Sequence, residues 1–102
     1  MKFQLVLQWP ASSMDYDRMV EVEELLIEQI SEEDGEVDGH DTGSGQVNIF
    51  IHTDSPEKAF RSATRVLDAQ GCLETARAAF RPIDGDEYTA LWPEGLRNFR
   101  VL

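Results

Sequence analysis

Two histidines, three aspartates and an asparagine fall within one short stretch, DGHDTGSGQVNIFIHTD, residues 38–54. Imidazole beside carboxylate suits proton transfer near neutral pH, or the holding of a divalent metal. The candidate patch is Asp38, His40, Asn48, Phe50 and His52. No His-x-x-x-His and no cysteine pair accompanies it, so no metal site and no cofactor is assigned. GHDTGSG resembles an anion-binding turn, but it runs into a strand instead of opening a helix, and it lacks the lysine of a phosphate loop. DGDE at 84–87 lacks the twelve-residue calcium pattern and reads as a hairpin tip.

These side chains meet only if the surrounding elements bring them to one surface. KFQLVLQW alternates, with Phe3, Leu5, Leu7 and Trp9 on one side and Gln4, Val6 and Gln8 on the other, as a half-buried strand does. Pro10 ends it. Ser12 or Ser13 then caps a helix expected over Met14 to about Glu33, in which Tyr16, Met19, Val20, Leu26, Ile27 and Ile30 recur at helical spacing. Gly35 is the expected stop.

EVDGHDT and QVNIFIHT follow as a hairpin around GSG, placing Val47, Ile49 and Ile51 on one face and Asn48, Phe50 and His52 on the other. Two registers keep Val37 inward and put Asp38 and His40 outward. In these, His40 stands opposite Asn48 or Phe50, and Asp38 opposite Phe50 or His52. A second helix spans DSPEKAFRSATRVLDAQG, capped by Asp54 or Ser55, with Pro56 in its first turn and Gly71 at its end. CLETARAAFRPI supports either helix or strand. Strand is preferred, because YTALW beyond the DGDE turn needs a neighbour to pair with. PEGLRNFRVL is a tail with Phe99 and Val101 as docking residues.

The order predicts one α+β domain over residues 1–102: a ferredoxin-like βαββαβ two-layer sandwich with an antiparallel sheet and an additional C-terminal strand. Both helices would cover one sheet face, leaving the other open.

The net charge is −11, unevenly spread. Asp15 to Glu57 carry fourteen acids against Arg18 alone, or −13, while the rest of the chain carries +2. Nucleic acid is excluded as a partner, since phosphates would meet the acidic half and no basic stripe offsets it. A basic protein would be attracted to an acidic surface built on Glu21, Glu24, Glu28 and Glu32, the alternative being a solvated face that confers solubility. No apolar run is long enough for a membrane span, and the polar Gln4 and Gln8 interrupt the only signal-like stretch. With Cys72 the one cysteine, the expected setting is a reducing cytoplasm.

VDGHDTGSGQVNIFIHTDSPEKAF together with RPIDGDEYTALWP resembles a group of small bacterial proteins of about this length without an established activity. The resemblance implies a bacterial cytoplasmic protein and transfers no site residue. Two functions from different classes follow from the residues themselves. One is a non-catalytic interaction or dimerisation module, binding a twin through the open sheet face or a basic protein through the acidic helix. The other is a small enzyme or ligand-binding dimer using the open face around His40 and His52.

Overall fold

The structure is a computed structural model describing residues 1–102. Its elements are β1 (Phe3–Pro10), α1 (Tyr16–Gln29), β2 (Glu36–Gly43), β3 (Gln46–Thr53), α2 (Pro56–Ala69), β4 (Arg77–Pro82) and β5 (Thr89–Trp92). The fold is α+β, with two helices and one five-stranded sheet of order β2-β3-β1-β4-β5, antiparallel throughout. Leu5, Leu7 and Trp9 of β1 pair with Ile51, Ile49 and Val47 of β3, forming an apolar sheet face. Met19, Val22 and Leu26 of α1 and Ala59, Ala63, Val66 and Leu67 of α2 complete the same core. Each large aliphatic buried this way contributes roughly 1.5–3 kcal/mol relative to exposure, which holds both helices to that face. The strand expected within 74–83 is present as β4, and YTALW supplies β5 beside it. Neither helix is long and apolar enough to cross a membrane.

Helix α1 is shorter than its apolar period suggests. Its cap is Asp15, whose carboxylate accepts from Arg18 N–H at 2.8 Å, and neither Ser12 nor Ser13 serves. Those serines lie in the turn after β1, where Ser13 donates to the Pro10 carbonyl. A capping oxygen must sit on the last non-helical residue before the helix; that residue is Asp15, which is extended (ψ 171°), while Ser12 and Ser13 lie in the preceding turn. At the far end Ile30 turns extended while its N–H still bonds Leu26 O, so the helix closes before Glu33. Tyr16 and Ile27 share the helical period yet are 54% and 60% exposed.

Gly35, expected as the helix stop, has another role. A Cβ there would stand 2.9 Å from Ile51 Cγ2 and 3.0 Å from His52 O, so only glycine lets the entry to β2 press against β3.

Helix α2 begins after Ser55, whose side chain makes no cap bond; Pro56 sets the first turn. Fully buried Thr53 organises this corner instead. Its Oγ1 donates to Asp34 O at 2.6 Å and accepts from Ser55 N–H at 2.9 Å, tying the loop before β2 to the start of α2. Replacing Thr53 by valine keeps the volume and leaves both backbone groups without that partner. The expected loss is about 1–3 kcal/mol, read as a lower urea midpoint with an unchanged slope.

Candidate functional site

The hairpin that carries the histidines turns tightly at Ser44 and Gly45, both at positive φ (53° and 79°), the form that matches strand twist. From the far end the ladder runs Glu36↔His52 and Val37↔Ile51, and then slips. Asp38 and Gly39 together oppose Phe50, and His40 faces Ile49. Both expected registers are thus corrected. The extra residue of a bulge inverts the alternation beyond it, so His40 moves to the helix side of the sheet while His52 stays on the opposite face.

The two imidazoles therefore have separate carboxylates. His40 Nδ1 lies 3.1 Å from each carboxylate oxygen of Glu23 on α1, with the Tyr16 ring edge-on at 5.7 Å. His52 Nε2 lies 3.4 Å from Asp38 Oδ2 at the bulge, with Phe50 next along the same face. Of the expected patch, the structure brings together Asp38, Phe50 and His52 and separates His40. Glu23 was not singled out by sequence reasoning. Its spacing, four residues after Met19 and three before Leu26, places it on the flank of the buried stripe, and that is the signal that could have found it.

Asn48 belongs to a different cluster. Gln8 Nε2 is 3.0 Å from Asn48 Oδ1, 3.1 Å from Gln46 Oε1 and 3.0 Å from the Arg100 carbonyl. Gln46 accepts in turn from Leu102 N–H at 3.0 Å. Phe99 packs on Tyr88 at 5.0 Å between ring centres. Residues 99–102 thus cross the sheet face expected to be open, and Val6, Gln8, Asn48 and Ala79 beneath are buried. The end bearing Gln4, Phe50 and His52 keeps partial exposure, and Arg77 beside Gln8 is exposed. The tail docks as anticipated, but largely through its backbone, because a carbonyl and an N–H satisfy the buried amides that the strands present.

The acids divide by partner. Glu21 pairs with Arg18 at 3.3 Å, whereas Glu24, Glu28, Glu32 and Glu36 are exposed with no cation within 4 Å. Arg18, the one base among them, is directed inward. Its guanidinium donates to Gln70 O at 2.6 Å and Gln70 Oε1 at 3.1 Å, closing the C-terminal end of α2. The same guanidinium holds the two helices together and pairs with Glu21, which leaves Glu24, Glu28 and Glu32 without a cation within 4 Å.

Elsewhere, Arg81 donates to the carbonyls of Pro82, Ile83 and Gly85, so DGDE is a turn shaped around a guanidinium. No three His, Cys, Asp or Glu side chains converge as a metal site would require. Cys72 is buried, and burial pushes its thiol up, against a smaller opposing pull from Arg18. A raised thiol favours the protonated native state, so this contribution to stability is whole below the unfolded thiol's range and is lost as pH rises through the native value. Cys72 is expected to react with a chromogenic disulfide at least about tenfold more slowly in native protein than in urea-unfolded protein at pH 8. Equal rates would show that the thiol is accessible.

No family model, curated protein or solved structure matches this chain.

Proposed function

We propose that this chain is a non-catalytic protein-interaction module of ferredoxin-like topology that captures a basic protein on the acidic face of α1. The order β2-β3-β1-β4, with one helix in each crossover and β5 added at the edge, supports the topological reading. The observation that carries the functional reading is the set Glu24 and Glu28 on α1 and Glu32 just beyond its end, all exposed without a cation, while Arg18 is engaged by Gln70 and Glu21. Such a surface attracts a positively charged partner over roughly a Debye length, about 8 Å at physiological salt, and speeds encounter more than it tightens the final complex. A reducing bacterial cytoplasm remains the setting suggested by the single cysteine and by the resemblance.

The enzyme or ligand-binding dimer reading is weaker. His40 and His52 lie on opposite faces of the sheet, and residues 99–102 occupy much of the surface a twin would use. The test is an NMR titration of the full chain with a heptalysine peptide at low and high salt. The expected result is amide shifts confined to α1 and β2, with apparent affinity falling at least about tenfold between about 50 and 500 mM salt. Shifts spread evenly over the molecule, or an affinity insensitive to salt, would refute the reading.

A further inference from the structure

Two of the most exposed large apolar residues, Ile27 at 60% and Met1 at 53%, line one groove. It has a volume of about 590 Å³ and lies between the last turn of α1 and the start of β2, with Leu26, Ile30 and Val37 as further apolar wall. Glu32 and Glu36 stand in the same wall, both exposed and without a cation. The last turn of α1 carries no basic residue, so the negative end of the helix dipole adds to the field there. An apolar centre within a charged rim is the composition of a binding surface; both side-chain charges of this rim, Glu32 and Glu36, are negative, and the Met1 ammonium on the same wall is paired with Asp54 at 3.8 Å.

We propose that this groove receives an aliphatic side chain flanked by lysine or arginine on a basic protein partner, an inference that rests on the acidic-surface reading and adds its anchoring point. Charge complementarity selects this occupant. A second copy would bring its own Glu32 and Glu36 to a symmetric contact, and an uncharged apolar segment would strip water from both carboxylates without replacing it. A cationic flank answers the rim while the aliphatic group covers Ile27, Ile30 and Val37. The start of β2 also has an unpaired backbone edge, since β2 is the outermost strand, and an extended segment can bond along it.

The test uses the full chain and two fluorescent peptides, Lys-Lys-Leu-Lys-Lys and Lys-Lys-Ser-Lys-Lys. The leucine peptide is expected to bind about tenfold more tightly, shifting the amides of residues 26–30 and 35–37. Ile27→Ser should abolish that preference, and Ile83→Ser, a change at an exposed site outside the groove, should retain it. Equal binding of both peptides along α1 overturns the groove and spares the acidic-surface reading, whereas no binding of either overturns both. Self-association of the free protein that shifts these same amides would make a second copy the occupant and also overturn the proposal.

Discussion

Trp9→Ala is expected to remove about 3–5 kcal/mol of folding free energy, the largest loss from any single truncation in this chain. Trp9 is fully buried at the end of β1, in the core that both helices share. Its indole N–H donates to the Cys72 carbonyl at 2.8 Å, joining the first strand to the loop after α2. Alanine removes the ring from a packed site and also leaves that carbonyl without its donor. Domains of this size have total stabilities of about 5–15 kcal/mol, so the variant should be partly unfolded near 37 °C. Urea denaturation followed by far-ultraviolet circular dichroism measures the change. Trp9→Phe separates the two contributions: it keeps much of the volume and should cost about 1–3 kcal/mol for the orphaned carbonyl. If phenylalanine proves as damaging as alanine, the hydrogen bond dominates; if both are neutral, the core is not anchored at Trp9.

Gly39→Ala is expected to cost about 1–3 kcal/mol although the added methyl would touch nothing, since no atom lies within 4 Å of the Cβ position. The penalty is a backbone one. Gly39 sits at φ 142°, a conformation open to glycine and closed to residues with a side chain. It is also half of the bulge that sends His40 toward Glu23, so the substitution should disturb the histidine together with the stability. Loss of the nuclear Overhauser contact between Tyr16 and His40, alongside a lower urea midpoint, is the expected pair of results. A neutral variant that keeps the contact would show that the bulge does not depend on glycine.

Gly39 also marks where pattern reading succeeds and where it stops. The strict alternation of Phe3, Leu5, Leu7 and Trp9 placed those residues correctly, because β1 is central and paired without a slip on both sides. Val47, Ile49 and Ile51 were legible because β3 pairs with β1 without a slip and the extra residue of its other ladder lies on β2. In β2 the alternation is interrupted, and a one-residue bulge reverses every later side chain. Gly39 inside a strand is the available clue, since glycine there often marks a bulge, but composition does not say on which side of it the parity changes. Residues 77–82 could be read as strand through their partner YTALW, a non-local argument that local propensity did not supply.

The course of the tail was hidden for a different reason. Phe99 and Val101 announce docking, but Arg100 meets Gln8 and Gln46 through its carbonyl, a group every residue possesses. The charge asymmetry was fully visible in the sequence. The groove beside it was not, because Ile27 shares the helical period of the buried residues yet faces outward, and α1 ends several residues before Gly35.

The outer position of β2 bears on behaviour in concentrated solution. Its free rim carries Glu36, Asp38 and Asp41 and is interrupted by the bulge, so at neutral pH neighbouring molecules repel one another where ladders could otherwise propagate from chain to chain. High salt screens that repulsion and leaves the kink as the guard against fibre growth.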